Sequence, residues 1–275
     1  PGRVASDATG RGFSGRPPSA LHMTESQLET TTQEQLPPLQ LSSGPARFIG
    51  SAEDLQAFSS DLGLGSGPVA IDAERASGYR YSQRAYLIQV RRRNAGTALI
   101  DPIAVPDLAC LSAALADTEW ILHAATQDLP CLAEVGLRPH RLFDTELAGR
   151  LLGRDRVSLA GLVASELGFA MAKEHGATDW SARPLSSAQL TYAALDVEPL
   201  ADLRTVLGAA LDSQNRGEIA QQEFDNLLTF TPKPRGQEPW RRLSGIHKLR
   251  SSNQDRKSTR LNSSHSSVSR MPSSA

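Results

Sequence analysis

The sequence predicts an α/β fold, a mixed β-sheet flanked by helices, on three observations. Three β-type runs follow one another through short, turn-bearing connections. Strand and helix patterns then alternate. Both ends of the chain have compositions that cannot build a core, which confines the fold to the middle.

Residues 1–46 are rich in Gly, Pro, Ser, Thr and Gln without sustained periodicity, and a disordered N-terminal segment is expected there; Met23 is the first methionine. Residues 67–74 (GPVAIDAE) form an apolar run with a carboxylate at its end. Residues 85–92 (AYLIQVRR) and 97–101 (TALID) are two more β-type runs. A loop containing Gly, Tyr and Ser joins the first two, and Asn94-Ala95-Gly96 joins the last two, so an antiparallel three-strand meander is expected. Leu108, Leu111 and Leu115 have helical spacing, and residues 120–124 (WILHA) make a short apolar run. A helix carrying Leu129, Leu132 and Ala133 follows, and residues 141–144 (RLFD) complete the strands. Residues 145–152, 158–167 and 186–213 are helical by period and composition, with Ser158 and Ser186 as N-caps. The folded domain is therefore expected over 47–213, with a linker over 214–235. Residues 251–275 hold ten serines and read as a disordered tail; 256–275 resemble translated sequencing-adapter sequence and are expected to be non-native.

Composition narrows the function classes. The 275 residues carry 29 Lys+Arg against 30 Asp+Glu, a net charge of −1 that excludes a wholesale phosphate binder but leaves room for local basic patches. No run approaches the ~18 consecutive apolar residues of a membrane-spanning helix. The two cysteines, Cys110 and Cys131, form no CxxC pair, which argues against a disulfide scaffold or a cysteine zinc site. A soluble, cytoplasmic protein is expected.

Candidate chemistry lies in the carboxylates. Asp72 and Glu74, at i and i+2 on the first strand's end, project from one face of the sheet. Two carboxylates there repel one another unless a cation lies between them, and an all-oxygen donor set favours Mg²⁺ or Mn²⁺. Alone, the pair reads more readily as a polar strand end meeting solvent. Tyr192 and Asp196, at i and i+4, share a helix face and could hold a water between them. An isolated pair of this kind is also a half-buried tyrosine above a solvated aspartate. Asp128 follows a strand and sits near a helix N-terminus, where a capping carboxylate needs no further explanation.

Taken together, the five residues resemble the DEDDy 3′–5′ exonucleases, and within that group the ribonuclease D family. IDAERASGYRY (71–81) resembles the first exonuclease motif, LHAATQDLPCL (122–132) the second, and TDWSARPLSSAQLTYAALDV (178–197) the third with its lead-in. The resemblance covers residues 48–211. Ala73 stands where threonine is commoner, at a position that is not a ligand.

The resemblance implies a ribonuclease-H-like fold and a hydrolase using two divalent metal ions, Mg²⁺ or Mn²⁺. Asp72 would bridge the metals, Glu74 and Asp196 would hold the one that activates water, and Asp128 the other. Tyr192 would orient the attacking water. The expected substrate is RNA with a free 3′ end, tRNA precursors among them, shortened to nucleoside 5′-monophosphates; no membrane and no obligate protein partner are implied. By the same resemblance His123, Trp180 and Arg183 are candidate substrate contacts, although each has a structural reading: a strand-end histidine for the first, loop packing for the others. Asp144 resembles another recurrent family aspartate and reads better as the N-cap of the helix from Thr145. Residues 236–250 look like the opening of an HRDC domain, cut short, with Arg241, Arg242, Lys248 and Arg250 suited to phosphate contacts. A single-stranded DNA exonuclease and a non-catalytic nucleic-acid-binding scaffold are the alternatives. The run Arg91-Arg92-Arg93 offers local positive charge or merely a solvated turn. Residues 63–68 (GLGSGP) lack the Lys-Ser/Thr of a phosphate-binding loop.

Overall fold

A computed structural model describes residues 36–76, 79–80, 82–172 and 178–231. Among the described residues, six strands form one mixed sheet in the order β1-β4-β3-β2-β5-β6. The expected meander is β2 (Ser66–Arg75), β3 (Ala85–Arg93) and β4 (Gly96–Ile100), paired antiparallel. Asn94 and Gly96 both have positive φ in its second turn, which suits their residue types. β5 (Glu119–Leu122) and β6 (Arg141–Asp144) extend the sheet in parallel beyond β2. On the far edge the short β1 (Arg47–Ile49) runs parallel to β4.

Side-chain alternation along β2 sorts the molecule into layers. Val69, Ile71 and Ala73 face a core built with α1 (Ala52–Leu64), α2 (Ala109–Leu115) and α3 (Leu129–Glu134). Ala70 faces the opposite layer, where α4 (Thr145–Leu151), α5 (Leu159–Leu162), α7 (Leu200–Ser213) and α8 (Gly217–Leu228) pack. α6 (Ser187–Val197) lies on that second side, over Leu87 and Leu99, with Ala193 and Ala194 fully buried beneath it. Asp72 and Glu74 have the parity of Ala70, so β2 directs both carboxylates towards α6.

Several elements depart from expectation. Neither β1 nor α1 is among the elements expected above; α1 is capped by Ser51, whose hydroxyl accepts from the Asp54 N–H at 3.1 Å, and buries Leu55, Phe58 and Leu62. The helix expected over 158–167 begins at the Ser158 cap but passes into a π-type turn over Val163–Leu167, ending at the left-handed Gly168. The helical span 186–213 is two helices, because Pro199 has no N–H to continue the ladder. Its start has a reciprocal capping box between Ser186 and Gln189.

The linker expected over 214–235 is a packed helix for most of its length. In α8, Ala220 and Phe224 share a buried face, and the Phe224 ring lies 4.8 Å from Phe143. The N-terminal segment expected to be disordered through residue 46 is ordered from 36 onward. Ala170 exchanges backbone hydrogen bonds with Pro37 and Leu39, and Glu198 accepts from the Ser42 amide and hydroxyl. Such contacts come from distant chain and leave no local periodicity. Residues 1–35 and the expected HRDC opening and tail, 236–275, lie outside the described residues. Among the described residues no helix is long and apolar enough to cross a membrane.

Candidate active site

The C-terminal end of β2, the face of α6 and the turn before α3 meet at one edge of the sheet. Asp72, Glu74 and Asp196 converge there, each offering a carboxylate oxygen within 4.8 Å of the others. Asp128 adds a fourth carboxyl, hydrogen-bonded to Asp72. Tyr192, one helical turn before Asp196, hydrogen-bonds its carboxylate through the phenol.

Local structure explains each position. Asp128 is the N-cap residue of α3 by place, and its backbone carbonyl accepts from Leu132 at 2.9 Å. Its side chain caps nothing, because the backbone makes a short 3₁₀ turn over Ala125–Gln127 that turns the carboxyl into the cluster. That turn starts at Ala124, held in the left-handed region with φ 56°. Asp144 fastens it: its carboxylate accepts from the amides of Ala124 and Ala125 at 3.1 and 2.8 Å while capping α4 through Glu146 and Leu147. The N-cap reading of Asp144 thus accounts for half of its hydrogen bonds.

Crowding and burial set the electrostatics. Desolvation raises the Asp72 and Asp128 carboxyls, the latter strongly and with a further push from Asp72. Glu74 is pushed up to about 9 by burial and then by the neighbouring Asp72, Asp196 and Asp128. Asp196 rises to about 8, through burial first and Asp72 second, with the Tyr192 hydrogen bond opposing. Tyr192 itself is driven well above the ordinary phenol range by burial and by the same carboxylates. Four acids held this close while desolvated are costly to ionise without compensating positive charge. Their donors are all oxygen, which fits hard divalent cations such as Mg²⁺ or Mn²⁺, and Asp72, Glu74 and Asp196 bring their oxygens close enough to share one.

Two expected substrate contacts are occupied elsewhere. Trp180 is completely buried against Leu87, Leu99 and the underside of α6, so it offers no face to a base. The Arg183 guanidinium is held bidentately by Asp101, at 2.7 and 3.0 Å, and donates to the carbonyls of Trp180, Ala182 and Tyr86. Both tie the lead-in of α6 to the sheet. His123 is half-buried, its Nδ1 lies 2.9 Å from Thr145 Oγ1, and burial lowers its pKa. Arg91, from the basic run, lies opposite Ala70 and pairs with Glu198 at 2.8 Å.

Two residues at the site escape the sequence reading. Gln89, fully buried opposite Asp72 on β3, donates to Glu74 Oε1 at 3.4 Å. A lone polar residue inside the run AYLIQVRR was the available signal. Arg75 closes β2 with its guanidinium 3.7 Å from Asp128, and one basic residue within a motif carries no periodic signal at all.

Residues 46–212 match the protein family described as 3'-5' exonuclease. A ribonuclease D of Desulfotalea psychrophila is 31% identical over 221 residues, covering 77% of this chain and 56% of the relative. The crystal structure of a protein from Bifidobacterium adolescentis is 41% identical with a TM-score of 0.74, over 78% of this chain and 53% of that one. Brucella melitensis NrnC with bound Mg²⁺ is 26% identical with a TM-score of 0.52, over 67% of this chain and 90% of that one. The chain spans about half the length of the curated relatives that match over most of it.

Proposed function

The chain belongs to the 3′–5′ exonuclease family, and on that premise we propose that it is a metal-dependent exoribonuclease of the ribonuclease D type. It shortens RNA from a free 3′ end, tRNA precursors among its substrates, and works in the cytoplasm. The observation that carries the reading is the convergence of Asp72, Glu74, Asp128 and Asp196 with Tyr192 at one sheet edge. The relative named ribonuclease D supports RNA as the substrate class.

Two divalent cations belong to the chemistry of this family, and the donor set here suits them. When bound, they supply charge neutralisation at the scissile phosphate and a more acidic attacking water. The protein's own groups do the rest. Asp72, Glu74 and Asp196 would hold one cation, and Asp72 with Asp128 the other. Glu74 and Asp196 accept hydrogen bonds from the attacking water. Tyr192, whose phenol stays protonated at neutral pH, cannot serve as the base. Its hydroxyl, already hydrogen-bonded to Asp196, orients the water for in-line attack. His123, at the rim, contacts the terminal nucleotide.

The test is digestion of matched RNA and DNA oligomers with free 3′ ends, with Mg²⁺, with Mn²⁺ and with chelator. Stepwise, metal-dependent shortening of RNA, lost in a folded Asp72→Asn variant, is the expected result. Equal shortening of DNA would make it a general exonuclease. Wild-type turnover in the variant, or no cleavage by a folded protein that binds RNA, would overturn the proposal.

A further inference from the structure

Among the described residues, Arg75 is the cation that stands at the carboxylate cluster. Alternation along β2 assigns it to the face opposite Asp72 and Glu74, yet the pairing with β3 slips register between Glu74 and Arg75. The guanidinium finishes with Nη2 3.7 Å from Asp128 Oδ1 and 3.5 Å from Gln127 Oε1. Both contacts are long, and both use the same nitrogen. Among the described residues nothing holds Nε or Nη1, and about a quarter of the side chain is exposed. Compare Arg183, Arg204 and Arg91, each fixed by a carboxylate at 2.7 or 2.8 Å. Arg75 is therefore held more loosely than these three, and it lies beside the acids. Its field opposes the rise in Asp72, Glu74 and Asp128 alike.

A structural counter-ion would be expected to sit in a short, bidentate pair. A guanidinium with a free fork, at the mouth of a cluster whose acids are to be neutralised by other cations, is placed to receive a phosphate instead. We propose that Arg75 is a further catalytic residue, which leaves Asp128 when cations engage the carboxylates and binds the phosphate of the 3′-terminal nucleotide. This rests on the exonuclease reading above. It makes Arg75 both a rival of the metal for Asp128 and an ally of the substrate.

Those two roles have opposite signs, and the experiment reads both. Mn²⁺ affinity, and the affinity of the Mn²⁺-loaded protein for a nucleoside 5′-monophosphate and for the bare nucleoside, are measured by calorimetry on wild type, Arg75→Ala and Arg75→Lys. Exonuclease turnover is followed in parallel. In Arg75→Ala, Mn²⁺ should bind about threefold tighter or more, since a positive neighbour is gone. The monophosphate should bind about 10- to 100-fold more weakly, with turnover falling by a similar factor, while the nucleoside is unaffected. Arg75→Lys should lie between, and added guanidinium ion should restore part of the Arg75→Ala rate. Unchanged monophosphate affinity, or Mn²⁺ binding that weakens together with turnover, would overturn the proposal in favour of a structural pair. Should wild type cleave neither RNA nor DNA while the binding results hold, the exonuclease reading fails and Arg75 remains a phosphate ligand.

Discussion

Tyr192 illustrates how surroundings, more than residue type, settle what a side chain can do. In water a phenol is a weak acid that a catalyst could ionise. Half-buried beside Asp196, Glu74 and Asp72, it is pushed in the opposite direction and keeps its proton. It can then act only through hydrogen bonds, which limits the damage its removal should cause. Tyr192→Phe should lower kcat by about 10- to 100-fold and leave Mn²⁺ affinity within error of wild type, as read by single-turnover cleavage and calorimetry. A loss of metal affinity equal to the loss of rate would mean that the phenol serves the ligands and not the water. Asp144 works at a remove: four amides converge on its carboxylate, so the turn that aims Asp128 and the start of α4 are set by one group.

Among the elements, α8 is the one whose weight can be measured cleanly. Phe224 inserts against Phe143 on the last strand, and Ala220 beside it lets the helix approach. Phe224→Ala should cost about 3 kcal/mol, seen as a shift of the urea midpoint at unchanged slope, with the carboxylate cluster and metal affinity intact. A cost below ~1 kcal/mol would mean that the helix is appended and not part of the fold. This helix also marks where the sequence stops being legible. Strand alternation placed Asp72 and Glu74 on one face, and helical spacing placed Tyr192 with Asp196, because periodicity is a local property of the chain. Trp180, Arg183 and residues 36–46 are fixed by partners far away in sequence: Asp101 and the Tyr86 carbonyl for Arg183, Ala170 and Glu198 for the N-terminal stretch. Nothing at those positions announces the partner. An aromatic and an arginine beside a nuclease motif look like substrate contacts until the packing shows them spent on holding α6 to the sheet.

For the whole molecule, the cluster couples stability to pH and to metal. Glu74 and Asp196 titrate at about 9 and about 8 in the folded protein, far above the ordinary carboxylate range they have when unfolded. The folded state therefore holds extra protons between those limits. The stabilisation is complete below about pH 4 and is lost as pH rises through 8 to 9. Without metal, the melting temperature should fall between pH 6 and 9, by ~5 °C or more. Glu74→Gln should flatten that slope, and saturating Mg²⁺ or Mn²⁺ should reverse it, since the ligands must shed protons to bind. A metal-free melting temperature that climbs over the same interval would show that the acids are not crowded as described. One further consequence follows from the path of the chain through the site. The carboxylates come from β2, the turn before α3 and α6, in that order, so the cluster lacks its last member until synthesis has passed Asp196. On the exonuclease reading, an enzyme that degrades RNA is assembled on machinery made of RNA. The order of its own translation then acts as a safety catch: the nascent chain is harmless to its message and its ribosome until almost the entire domain has been made.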